Sequence, residues 1–152
     1  MRHLSHAYID GAFVPVQGSE VVDIVNPATE ERIGTAALGS RDDVRLAIAA
    51  AQRAQPAFGR STKEERIDML RRLQAAVLAR TDEIREATIE EYGGPLSRAQ
   101  WVADYASQCF ANAVETLEAY AFTRSVGEAT VVMEPVGVAA LMTPWNSTAG
   151  SI

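Results

Sequence analysis

Residues 136–142, Val-Gly-Val-Ala-Ala-Leu-Met, are apolar without alternation. A strand that buries one face alternates polar and apolar side chains, so an unbroken apolar run of this kind reads as a parallel strand covered on both faces. Thr143-Pro144-Trp145-Asn146 follows as a polar turn at the strand's C-terminal edge, where open α/β sheets bind their ligands. A buried parallel strand requires parallel neighbours reached through crossover helices, and the stretch from Thr143 to Ile152 is too short to hold one. The chain of 152 residues suits one domain by length, yet its pattern is expected to be the beginning of an α/β fold whose parallel sheet is incomplete.

Upstream, the hydrophobic period changes twice. Tyr8-Ile9 and Ala12-Phe13-Val14 flank Asp10-Gly11, a dipeptide suited to a tight hairpin turn. Val21–Val25 reads as a strand stopped by Asn26-Pro27, and a further strand is expected around Arg32–Ala36, the whole forming a small, half-exposed antiparallel ribbon. Ser40 then caps a helix whose Val44, Ala47, Ile48, Ala51 and Ala54 share one face, with Pro56 as its end. Ser61-Thr62-Lys63-Glu64 fits a capping box ahead of the stripe Ile67, Leu70, Leu73 and Val77. Thr81 reads as the cap of a third helix, which runs to about Glu91 and is broken by Gly93-Gly94-Pro95. The longest helix follows, with Val102, Tyr105, Cys109, Ala113, Thr116 and Tyr120 expected to face inward, and Ala129–Met133 reads as a strand.

Composition removes several functional classes. With 14 Lys and Arg against 20 Asp and Glu, the formal charge is −6, so the chain lacks the basic face that phosphate backbones require. The same acidity disfavours an anionic membrane surface, and no apolar stretch approaches the length of a membrane span. The single cysteine, Cys109, can make neither an internal disulfide nor a thiolate metal site alone, and with no apolar leader visible the expected setting is cytoplasmic. Both histidines, His3 and His6, fall in a terminus expected to fray, which argues against a histidine mechanism or a metal site.

Among residues that could carry chemistry, Asn146 is the sharpest candidate. A neutral amide at the end of a core strand can donate to a developing oxyanion at any working pH, and the competing reading is an asparagine that only holds a turn after Pro144. Trp145, on its pattern alone, reads as a packing residue more readily than as a cofactor wall. Gly150 is too weakly supported for a phosphate loop, since no GxGxxG surrounds it. Cys109 lies mid-helix with no histidine or cation beside it in the pattern, which favours a buried structural thiol over a nucleophile. The acidic pairs Asp42-Asp43, Glu64-Glu65 and Glu90-Glu91 read as caps and solvated faces.

Glu134-Pro135-Val136-Gly137-Val138 with Thr143-Pro144-Trp145-Asn146 strongly resembles the NAD(P)-dependent aldehyde dehydrogenase superfamily. Tyr8–Val14 is similar to the family's opening hairpin, and Asn26-Pro27-Ala28-Thr29-Glu30-Glu31 to its Asn-Pro-Ala-Thr-Gly-Glu signature, with Glu30 in place of glycine. Asp43-Val44, Glu65-Arg66 before Leu70, and Glu91-Tyr92-Gly93-Gly94-Pro95 fall in family order, with Gly94 where lysine is common. The resemblance covers nearly the whole chain.

The resemblance implies an oxidoreductase that converts an aldehyde to a carboxylic acid through a cysteine thiohemiacetal, with NAD or NADP as cofactor and a homodimer or homotetramer as the assembly. It implies that Asn146 stabilises the oxyanion and that Met142, Thr143, Pro144 and Trp145 line the cofactor site, with no metal. It implies the N-terminal part of a Rossmann-like cofactor-binding domain over residues 1–122, with a ribbon at 7–38 and helices at 41–122. An oligomerisation hairpin is implied at 123–135, and the first core strand and the start of the cofactor site at 136–152. The family's nucleophilic cysteine and general-base glutamate match positions past Ile152, so Cys109 inherits no catalytic role and the 152 residues alone are expected to be inactive. The alternative from a different class is a non-enzymatic, dehydrogenase-like module for oligomerisation or binding.

Overall fold

The computed structural model describes residues 1–144 and Gly150. Its elements in chain order are β1 (Arg2–Leu4), β2 (His6–Ile9), β3 (Ala12–Pro15), β4 (Val21–Val25), β5 (Arg32–Ala37), α1 (Arg41–Phe58), α2 (Lys63–Leu78), α3 (Thr81–Tyr92), α4 (Leu96–Ala119), β6 (Thr123–Val126) and β7 (Ala129–Val132). The mixed α and β content and the position of the strands agree with the expected class.

The N-terminal strands depart from a single antiparallel ribbon. β2 and β3 form the expected hairpin, in register Tyr8↔Phe13 and Ile9↔Ala12. Its turn places both Asp10 (φ 54°) and Gly11 (φ 80°) in the left-handed region, the requirement of a type I′ turn, which matches the twist of the flanking strands. β4 and β5 pair antiparallel in a separate sheet, and β1 adds to β5 in parallel, giving the order β1-β5-β4. The terminus expected to fray is therefore a strand. Pairing of Arg2, His3 and Leu4 with Gly34, Thr35 and Ala36 holds it, as do ion pairs from Arg2 to Glu90 (2.6 Å) and Glu91 (2.7 Å). Three residues carry too little pattern to signal such a strand, and its partners lie far along the chain.

Asn26-Pro27 ends β4 as expected, and the Asn26 Oδ1 accepts from the Ala28 N–H at 2.9 Å, closing an Asx turn. Pro27 then packs against the end of α3. Gly93 caps that helix in the left-handed conformation (φ 66°), its N–H bonded to the Ile89 carbonyl. A Cβ on Gly93 would lie 2.6 Å from Pro27 Cγ. Two motifs distant in sequence thus meet at a contact that admits only glycine.

Ser40 and Asp43 form a reciprocal capping box at α1. The Asp43 carboxylate accepts from the Ser40 N–H (2.7 Å), the Ser40 hydroxyl (2.8 Å) and the Gln17 N–H (3.1 Å), tying the start of α1 to the chain after β3. The Ser40 backbone bond chiefly, with further bonds from the Ser40 hydroxyl and Gln17, holds its carboxyl below the usual 3.8 in spite of burial. α1 runs through Pro56 to Phe58. The proline forfeits one intrahelical bond, and the helix is closed three residues later by the Gly59 N–H on the Gln55 carbonyl (2.7 Å).

The expected apolar face of α1 is not buried. Asp43 and Ala50 are the residues this helix buries, while Val44 and Ile48 stand exposed. α1 meets strand β2, and Arg53 reaches Asp10 at the hairpin tip (2.8 Å). The capping box of α2 sits one residue later than expected: Thr62 is the cap and Glu65 its partner. Thr81 opens α3 as its first residue, and its hydroxyl donates back to the Leu78 carbonyl (2.8 Å) instead of capping.

The core lies where α4 packs on α2 and α3. Ala99, Ala103 and Ala106 are fully buried, with Val102, Ser107 and Val114 beside them and Ile67 from α2 opposite. The inward face is therefore rotated from the one expected: Tyr105, Thr116 and Tyr120 are exposed. Spacing alone ranked the larger side chains, whereas two helices packing against α4 select its smallest ones. β6 and β7 form a two-stranded hairpin turned by Gly127-Glu128, with Gly127 at φ 61° in the leading turn position. Residues 136–142 do not pair with any strand among the described residues. An apolar run becomes a strand only where neighbours supply its ladder.

Gly93→Ala is expected to lower stability by about 1–3 kcal/mol, since it forces a side chain into the left-handed region against Pro27, and urea denaturation measures it. Asp43→Asn is expected to lower the urea midpoint near neutral pH. The Asp43 carboxyl has a depressed folded value, so its contribution is present above 3.8 and disappears as pH falls through the lower folded value. The difference between variant and parent should therefore shrink on acidification.

Candidate active site

The tail after β7 and the outer edge of α4 carry the candidate residues. Along α4, Arg98, Trp101, Tyr105 and Cys109 recur at spacings of three and four and so share one edge. The Arg98 guanidinium lies 4.3 Å from the Trp101 ring centroid, a cation–π contact. Trp101 and Tyr105 stack with centroids 4.9 Å apart and planes 9° from parallel. The Cys109 thiol donates to the Gly150 carbonyl at 3.4 Å. Cys109 is half-buried rather than enclosed in the core. Tyr105 is held above its usual 10.0, chiefly through its hydrogen bond to Cys109 and then through repulsion by the charge that sulfur can carry.

This edge brings the tail to α4 through Cys109, a contact that the sequence pattern did not signal because it joins residues far apart. Trp101 and Arg98 were likewise absent from the candidate set. Their spacing from Tyr105 is the signal that finds them, since aromatic and cationic side chains at helical intervals stack along one edge.

Of the residues expected to line a cofactor site, Met142, Thr143 and Pro144 lie in an open stretch without regular structure, all three exposed and Met142 at 95%. Leu141 and Val136 are similarly open, at 76% and 97%. Trp145 and Asn146 lie outside the described residues, as do 147–149 and 151–152. The structure thus brings Met142 to Pro144 together by chain continuity alone. Among the described residues, no group of three or more His, Cys, Asp or Glu side chains is placed to hold a metal ion, and no helix is long and apolar enough to cross a membrane.

The model of the aldehyde dehydrogenase family matches residues 13–152. A 3-succinoylsemialdehyde-pyridine dehydrogenase of Pseudomonas is 37% identical over 96% of this chain. A putative aldehyde dehydrogenase of Staphylococcus epidermidis is 36% identical over the same share. In both cases the chain spans 31% of the relative's length. Among solved structures, aldehyde dehydrogenase C of Pseudomonas syringae, crystallised with NAD+ and octanal, superposes with a TM-score of 0.91 at 32% identity. That match covers 97% of this chain and 30% of the other. An NADP-dependent enzyme of Escherichia coli superposes with a TM-score of 0.85 at 30% identity, over 97% of this chain and 32% of the other. The arrangement of strands, helices and terminal hairpin described above is that of the N-terminal part of these structures, and the chain belongs to the aldehyde dehydrogenase family.

Proposed function

We propose that this chain forms the N-terminal portion of an NAD(P)-dependent aldehyde dehydrogenase that oxidises an aldehyde to a carboxylic acid through a cysteine thiohemiacetal. The observation that carries this reading is the family match over residues 13–152 together with the superposition on a dehydrogenase crystallised with NAD+ and octanal. The exposed segment 136–144 is consistent with it. Its side chains and backbone are open, as expected of one wall of a ligand cleft whose opposite wall lies on other elements.

Met142, Thr143, Pro144 and Trp145 are the residues proposed to hold the dinucleotide. Met142 and Pro144 fit this role as an apolar, accessible face, with the Thr143 hydroxyl as a polar point beside them. When bound, the dinucleotide supplies the hydride acceptor. Asn146 is proposed to donate its side-chain amide N–H to the oxyanion that develops as the substrate carbonyl becomes tetrahedral. An amide carries no titrating proton in the working range, so it remains a donor throughout. One such donor in a preorganised site is worth ~10²–10³ in rate. The nucleophile is not Cys109, whose thiol is engaged by the Gly150 carbonyl on a helix edge; the family pattern puts it past Ile152.

The hairpin of β6 and β7, within residues 123–135, is proposed to pair subunits in a homodimer or homotetramer. Each of its two strands has one unpaired edge among the described residues, and such an edge is a template for a strand of another chain. A cytoplasmic setting is part of this proposal: Cys109, the one cysteine of these 152 residues, is a free thiol.

In the full-length enzyme, Asn146→Ala is expected to lower kcat by ~10²–10³ with little change in cofactor affinity. Kinetics equal to the parent's would remove Asn146 from the mechanism. Cys109→Ala is expected to keep kcat within about twofold, since this thiol meets the Gly150 carbonyl and Tyr105 and has no role in the proposed reaction. The isolated 152-residue chain is expected to form no NADH from any of a panel of aldehydes, and turnover by it would contradict the placement of the nucleophile.

A further inference from the structure

A cavity of about 320 Å³ lies under the segment that joins α4 to the terminal hairpin, lined by Gly59, Ser61, Lys63, Arg66, Phe122 and Met133, with Glu134 and Pro135 at its rim. It continues past Phe122 and Met133 into an apolar groove of about 480 Å³ formed by Leu70 of α2, Ala113 and Leu117 of α4, and Tyr120. Lys63 and Arg66 are three residues apart on α2, so their charges share one face. The Lys63 ammonium bonds the Glu118 carbonyl (2.6 Å) and the Tyr120 carbonyl (3.1 Å). Arg66 bonds the Ser61 hydroxyl through Nε (2.9 Å) and the Gly59 carbonyl through one terminal nitrogen (3.2 Å). All four acceptors are neutral. Most arginines of this acidic chain have a carboxylate partner, as Arg2, Arg32, Arg45 and Arg53 do. Among the described residues neither Lys63 nor Arg66 has one, and Glu134 on the rim is not within 4.0 Å of either.

Two like charges on one helix face cost stability unless an anion accompanies them. The partial negative charge at the end of α4 offsets only part of the Lys63 charge. The Lys63 ammonium has three N–H donors and uses two, and the second terminal nitrogen of Arg66 is unengaged among the described residues. The Phe122 ring lies 5.9 Å from the Arg66 guanidinium, so the cationic end and the apolar groove meet at a single side chain.

We infer that this cavity and groove form a binding site for a monocarboxylate with an unbranched apolar tail, distinct from the cofactor segment at 142–145. The carboxylate accepts from Lys63 and Arg66, and the tail lies along Leu70, Leu117, Tyr120 and Met133. Their combined volume falls in the range of small-molecule sites, roughly 300–1,000 Å³. Glu134 is exposed at the rim and opposes the ligand's charge.

Calorimetric titration of the full-length protein with octanoate, octanol and acetate tests this inference. Octanoate is expected to bind saturably, at least tenfold tighter than either octanol or acetate, because only octanoate has both head and tail. Glu134→Gln, at the exposed rim of the cavity, is expected to tighten octanoate binding several-fold. Lys63→Gln is expected to weaken it about tenfold, with a thermal unfolding midpoint recorded alongside. Should Lys63→Gln fail to fold, the Glu134→Gln result decides alone. Absence of saturable octanoate binding, equal affinity for octanol, or an affinity unchanged by Glu134→Gln would overturn the inference. The last outcome would assign any binding to another part of the enzyme, so the test is separate from that of the aldehyde reaction.

Discussion

Close packing of α4 against α2 and α3 is the constraint on which the rest of the structure depends. Fully buried alanines at 99, 103 and 106 let the helices approach, and Ile67 and Val102 fill the space between. No large side chain is fully buried among the described residues. The three-helix unit is therefore held by many small contacts rather than by a few large anchors, and it gains little of the burial that a large side chain supplies. What hangs from it is fastened by polar and steric devices: Gly93 against Pro27, the Asp43 carboxylate on Ser40 and Gln17, and the ion pairs of Arg2.

That economy of burial explains the surface. Val44, Ile48, Phe58, Leu73, Trp101, Val136, Leu141 and Met142 are large apolar side chains left open, on α1, α2 and α4 and along the tail. Single exposed apolar residues are ordinary, but a helical stripe and a contiguous segment together are not. The match to about a third of each relative's length gives them a physical reason. The relatives are longer than this chain, and the account proposed above has their further elements meet these faces.

Local chemistry made much of this legible in the sequence. Asp10-Gly11, Asn26-Pro27, Ser40 with Asp43, and Gly93-Gly94-Pro95 each announced a turn, a cap or a break whose cause lies within a few residues, and each is found there. The errors share a different cause. β1 depends on β5, the inward face of α4 depends on two other helices, and a strand at 136–142 depends on neighbours that the described residues do not supply. Periodicity reports that a face is apolar, not which partner will cover it, and α1 shows the consequence with its stripe exposed. At the candidate site, the order of motifs ending in Pro144-Trp145-Asn146 identified the family, while the stack of Arg98, Trp101 and Tyr105 leading to Cys109 needed coordinates.

The central claim is that these open faces belong to a larger fold that covers them. Fluorescence of a dye that brightens on exposed apolar surface, compared at equal molar concentration for the 152-residue chain and for the full-length protein, tests it most directly. Strong enhancement by the isolated chain and weak enhancement by the full-length protein is the predicted result. Equally weak enhancement by both would contradict the account, since it would mean that the faces of α1 and of residues 136–142 are covered within these 152 residues.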